Sequence, residues 1–101
     1  MDIKTLSEEV EKVSLIYTDK FGITRDNNWF VLKLQEEVGE LTQSYLMLEG
    51  QARKKGKSEK ELKADFAKEV ADVFCHVLLL AKFNDIELDK EIKDKWLVWN
   101  K

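Results

Sequence analysis

The chain has no proline, one cysteine, one histidine and only four glycines among its 101 residues. With no proline to fix φ and remove a donor, only Gly22, Gly50 and Gly56 mark natural breaks in a helical pattern. The lone Cys75 has no partner for an internal disulfide and no second cysteine for a zinc knuckle, which fits a reducing compartment. No apolar run approaches the roughly 20 residues of a membrane span, and the start MDIKTLSEEV lacks the apolar stretch of a secretory signal. Nor does one sign of charge dominate. Against 17 Lys+Arg stand 20 Asp+Glu, a net charge of -3, so the strongly basic surface of a non-specific nucleic-acid binder is missing. The expectation is a cytoplasmic protein without a nucleic-acid or membrane partner.

What is present is 44% apolar residues beside 37% charged residues of mixed sign, the balance of one small domain over residues 1–101. A chain this short buries only about two-thirds of its unfolded surface and gains core by pairing with a copy of itself. A homodimer or homotetramer is therefore expected.

The periodicity is helical throughout. Thr5 and Glu8 have capping-box spacing, and Leu6, Val10, Val13 and Tyr17 follow at steps of four, three and four, predicting an amphipathic helix that ends near Phe21-Gly22. After Thr24-Arg25-Asp26-Asn27-Asn28, where an asparagine can cap, Trp29, Leu34, Val38, Leu41, Tyr45 and Leu48 carry a second, long helix to Gly50. A basic loop, Arg53 to Lys57, leads to Ser58 and Glu61, a second capping box. The stretch from Phe66 to Phe83 is apolar nearly all round and so predicts a buried helix. Leu88, Ile92, Trp96 and Trp99 predict a short last helix to the end of the chain. The class is all-α: a four-helix-bundle-like fold whose two long helices run antiparallel across a short connection.

Two acidic clusters interrupt this pattern. Glu36, Glu37 and Glu40 share little more than one turn of the second helix, where like charges cost roughly 0.2–0.5 kcal/mol per pair. Glu69 and Asp72 lie on the most apolar helix, where an unpartnered carboxylate costs several kcal/mol or takes up a proton. With the long helices antiparallel, the face of Lys33, Glu37, Glu40 and Ser44 meets that of Glu69, Asp72 and His76. Lys33 and Lys68 are too few to neutralise four converging acids. A hard divalent cation such as Mg²⁺, which takes oxygen ligands and shares its shell with substrate phosphates, fits them better. A di-iron bundle would need two Glu-x-x-His motifs, and the chain has only His76. No His-Glu-x-x-His or phosphate-binding Gly-Lys-Ser/Thr loop is present.

Glu36-Glu37-x-x-Glu40 followed by Glu69-x-x-Asp72 resembles the paired signature of the MazG-type all-α nucleotide pyrophosphohydrolases, and the likeness extends from about Trp29 to Lys95. The resemblance implies cleavage of a (d)NTP to the monophosphate and pyrophosphate, in house-cleaning of non-canonical or surplus nucleotides. It implies Mg²⁺, with Mn²⁺ as a substitute, held by Glu37, Glu40, Glu69 and Asp72, with Glu36 binding a second ion or orienting the water. His76 stands where related enzymes carry a polar or aromatic residue near the nucleotide; a hydrogen-bonded core histidine is the alternative. Lys95 matches the spacing of the family's phosphate-binding lysine, although Trp99 stands where relatives often place an asparagine. Lys33 faces the same site. Trp29, Phe30, Trp96 and Trp99 are candidates for stacking on a base, against a role in the core. Arg25 and the basic loop are candidate phosphate contacts, against plain solvation. Hydrolysis of phosphoribosyl-ATP and a non-catalytic helical interaction module are the competing readings.

Overall fold

The computed structural model describes residues 1–100, and among these every regular element is helical. Helix α1 spans Ile3–Lys20, α2 Trp29–Leu48, α3 Glu59–Phe83 and α4 Leu88–Lys95, followed by a 3₁₀ turn over Leu97–Trp99. Helices α2 and α3 run antiparallel. Phe30 stacks on Phe83 with centroids 4.4 Å apart, Glu37 approaches His76, and Tyr45 packs on Phe66 at 5.3 Å, so rising numbers on one helix meet falling numbers on the other. Phe30, Leu62 and Leu78 are the most deeply buried large side chains, with Leu79 and Ala81 beside them, each large one contributing about 1.5–3 kcal/mol of transfer free energy.

The helix ends follow local chemistry. Ser58 and Glu61 form the expected capping box, Ser58 Oγ accepting from Glu61 N at 3.2 Å and Glu61 Oε1 from Ser58 N at 3.0 Å. At α1 the cap is Asp2, whose carboxylate accepts from Thr5 N at 2.7 Å, and not Thr5 with Glu8; the helix therefore begins earlier than the capping-box spacing suggests. At α2 neither asparagine caps. Asp26 Oδ1 accepts from both Asn28 N and Trp29 N, at 3.0 and 2.9 Å.

Between α1 and α2, Arg25 is a clamp rather than a free cation. Its guanidinium donates to both carboxylate oxygens of Glu11 and to Ser14 Oγ, at 3.2 Å from the hydroxyl, and lies over the Phe30 ring. This fastens the connecting loop to α1 and to the first turn of α2, and it removes Arg25 from the candidate phosphate contacts.

Three expectations about burial are corrected. Helix α1 touches α3 and buries only the small side chains of Ser14 and Thr18, while Val13 and Tyr17 of its apolar stripe stay exposed. Helix α3 is not enclosed: Val70 and Phe74 are 46% and 44% exposed, because α1 and α2 cover only part of its circumference. The chain end beyond Lys95 tightens into the 3₁₀ turn instead of continuing as α-helix, with Trp96 and Trp99 exposed, since α4 packs chiefly on its own following turn. The Cα radius of gyration is 16.1 Å, against about 13 Å for a compact domain of this length. No helix is long and apolar enough to cross a membrane among the described residues.

Candidate metal centre

On α2, Lys33, Glu36, Glu37 and Glu40 fall at i, i+3, i+4 and i+7, one continuous face. On α3, Glu69, Asp72 and His76 do the same opposite them. Glu37 lies where the two faces meet. Its oxygens come within 4.8 Å of ligand atoms of Glu69 and Asp72, and in a second grouping of ligand atoms of Glu36 and Glu40. Every carboxylate singled out in the sequence thus belongs to one of two groups that share Glu37.

Glu37 is only 8% exposed, and no described group donates a hydrogen bond to its Oε2. Glu69 Oε2 and His76 Nδ1 are likewise shut from solvent without a partner. Burial, then the Glu40 carboxylate and Asp72, push the Glu37 carboxyl up to about 7, with Lys33 opposing weakly. Glu69 is raised by burial and then by Asp72, Glu40 and Asp65. Orphaned carboxylate oxygens crowded by like charge are what a hard cation relieves, so the donor set fits an oxygen-ligated divalent ion.

The basic groups here are committed or neutral. Burial disfavours the charged Lys33, but its ion pair with Glu36, 3.3 Å away, outweighs this and raises its pKa. Burial, reinforced by Lys33, lowers His76 despite the facing Asp72, Glu36 and Glu40, so the ring is neutral at pH 7. The Cys75 thiol is pushed up by burial and by Asp72 and stays protonated, which removes it as a nucleophile.

The carboxylates divide two cavities. One, of about 520 Å³, is walled by α1, α2 and α3; Glu37 and Asp72 lie on its border with Lys33, His76, Trp29 and Tyr17. The Trp29 and His76 rings stand 6.3 Å apart along it. The other, of about 390 Å³, carries Glu40 and Glu69 and is otherwise bounded by the α2–α3 loop, by polar side chains and by the apolar Met47 and Leu62. The apolar stripe of α1 now has its reason: Val10, Val13 and Tyr17 line the first cavity instead of a core.

Of the residues picked out in the sequence, Trp29, Lys33 and His76 meet at the first cavity, while Lys95 ends α4 and borders neither cavity. Phe30 is core, buried against Phe83, and is no candidate for stacking; Trp96 and Trp99 lie away from both cavities. Sequence reasoning missed Glu9, Ser14, Tyr17 and Cys75 at the first cavity. A small polar Ser14 within the apolar half of α1 was the available signal. Comparison with protein-family models, with curated proteins and with solved structures finds no match to this chain.

Proposed function

We propose that the chain is a Mg²⁺-dependent nucleotide pyrophosphohydrolase of the MazG type, cleaving a (d)NTP to the monophosphate and pyrophosphate. The observation that carries this reading is Glu37: a buried, unpartnered carboxylate between Glu69 and Asp72, on the border of a cavity that also presents aromatic rings, a lysine and a neutral histidine. Glu37, Glu40, Glu69 and Asp72 would hold the ion. Bound Mg²⁺ supplies neutralisation of phosphate charge and a lowered pKa for a coordinated water.

The chain's own groups do the rest. Trp29 and Tyr17 offer ring faces to a base, worth roughly 1–3 kcal/mol per stacked ring. Lys33, which pairs with Glu36 at 3.3 Å, meets the α-phosphate, and Glu36 is assigned the orientation of the attacking water. In the hydrolysis the water oxygen bonds to the α-phosphorus and the bond to the α–β bridging oxygen breaks. Pyrophosphate leaves with the electron pair, and the proton lost by water passes to solvent.

The working form in this reading is a homo-oligomer. The chain exposes 7892 Å², whereas a compact monomer of 11.9 kDa exposes about 5,900 Å². The excess matches what one protomer contributes to an obligate interface. Val70, Phe74, Trp96 and Trp99 are the exposed apolar groups such an interface covers.

Incubation with Mg²⁺ and a panel of canonical and modified (d)NTPs tests the reading. Monophosphate and pyrophosphate, abolished by EDTA, are the expected products. Mg²⁺-dependent thermal stabilisation without cleavage of any nucleotide replaces it with the interaction-module reading, and cleavage confined to phosphoribosyl-ATP moves the substrate.

A further inference from the structure

Two apolar surfaces of the chain are left bare. The first is its C-terminal end. No side chain of α4 or of the 3₁₀ turn is buried, and α4 meets little but that turn. Trp96 and Trp99 are 69% and 85% exposed, with Leu97 and Val98 between them also open to water. Four consecutive apolar side chains in solvent mark a surface that another one covers. The turn after α3 holds this segment away from the body. Asp85 takes a left-handed φ of 55°, its N–H donates to Lys82 O at 3.2 Å, and the Ile86 N–H donates to Ala81 O at 2.8 Å. These are the two bonds of a Schellman turn, which ends a helix in a defined direction. The segment from Leu88 to Trp99 is therefore an arm with a fixed exit.

The second surface lies on the α2–α3 hairpin. Val31, Val38 and Tyr45 recur every seventh residue of α2, and Phe66, Val70 and Phe74 every fourth of α3, so each set is one stripe. Tyr45 and Phe66, with ring centroids 5.3 Å apart, join the stripes into one face. All but the half-buried Phe66 are exposed. Val38 follows Glu37 by one residue, roughly 100° round the helix, so the face and the carboxylates occupy different sides of α2. On α1, by contrast, the exposed Val13 and Tyr17 already wall the larger cavity.

The area fits a second copy as the occupant. The chain exposes about 2,000 Å² more than a compact monomer of its mass, within the roughly 1,000–2,500 Å² that each partner gives to a permanent interface. Under a two-fold axis each copy supplies one arm and one face, so both contacts form together and the assembly closes. We propose that α4 and the 3₁₀ turn are an exchanged arm, Trp96 and Trp99 of each copy seating on the Val70 and Phe74 face of the other. This rests on the homo-oligomer of the proposed function and names the two surfaces that meet; it does not depend on the nucleotide.

Sedimentation velocity on two full-length variants tests it. Trp96→Lys with Trp99→Lys spoils the arm, and Val70→Glu with Phe74→Glu spoils the face. All four positions are exposed, so both variants should keep their helical circular dichroism. Each alone is expected to sediment as a monomer. Their equimolar mixture is expected to recover a species of twice the monomer mass, because one contact of the mixed pair is wild-type and the other sets lysines against glutamates. If arms met arms and faces met faces, every contact in the mixture would keep one spoiled half. A mixture that stays monomeric beside an oligomeric wild type therefore discards the exchange and keeps the homo-oligomer. An arm variant that sediments like the wild type also overturns the exchange. A wild type that is monomeric at all concentrations overturns the exchange and the homo-oligomer together, while nucleotide turnover by that monomer leaves the catalytic reading standing. In a Trp29→Phe chain only Trp96 and Trp99 emit. Their fluorescence should move to the red when the face substitutions are added, and unchanged emission counts against docking of the arm.

Discussion

Glu37 Oε1 and His76 Nε2 face each other across the α2–α3 seam at 3.8 Å, beyond hydrogen-bond reach and with the imidazole neutral. Glu37 therefore sits buried without a donor to stabilise its charge. Glu37→Gln keeps the shape and removes the charge. We expect turnover to fall at least a hundredfold while the Tm of the metal-free protein rises by a few degrees, since the crowding with Glu40 and Asp72 is relieved. Full activity in this variant, or in Asp72→Asn, would overturn the ligand assignment.

The metal-free protein should lose stability as pH rises. The folded chain holds the Glu37 proton to about pH 7, whereas the unfolded chain releases it near 4.5, so between these values the folded state binds more protons. Glu69 is shifted in the same direction. The lowered pKa of His76 works oppositely below pH 6.5, but it is one group against two. Melting in EDTA should give a lower Tm at pH 7.5 than at pH 5.5. Added Mg²⁺ selects the ionised carboxylates, so its stabilisation grows over the same interval. A flat EDTA profile contradicts the assignment of these shifts.

Arg25 carries a structural load. Replacing it by alanine leaves the half-buried Glu11 without its bidentate partner and uncovers one face of Phe30. Urea denaturation should show a loss of about 1–3 kcal/mol. In a double-mutant cycle with Glu11→Gln, the second change should cost much less in the Arg25→Ala background. Additive losses would mean that the two side chains act independently.

Assembly is checked by sedimentation velocity. The wild type is expected above monomer mass, and Val70→Glu combined with Phe74→Glu should release monomers, because both side chains lie on the uncovered side of α3. A wild type that sediments as a monomer at all concentrations removes the oligomer from the proposal.

Much of the frame was legible because it is written in short-range rules. The Ser58–Glu61 capping box needs only neighbours in sequence, and the facing of Glu37 with Glu69 and Asp72 needs only helical period and antiparallel pairing. What periodicity cannot supply is the identity of the covering surface. It marks Val10, Val13 and Tyr17 as one face but does not say that this face borders a cavity. It marks α3 as apolar all round but not that Val70 and Phe74 go uncovered. The family resemblance suggested Lys95 as a phosphate ligand; its place was decided by how little of α4 packs on the rest of the fold.

The seam between the long helices is aromatic at both ends and acidic between them. Phe30 on Phe83 and Tyr45 on Phe66 set the distance between α2 and α3 from outside the carboxylate region. The carboxylates are thus held in a frame whose width they do not determine, much as a lens mount fixes an aperture. For the proposed metal site, ring size at Phe66 or Phe83 would then be a remote adjustment of cation preference: a narrower frame suits the short bonds of Mg²⁺, a wider one the longer bonds of Ca²⁺, with no carboxylate changed.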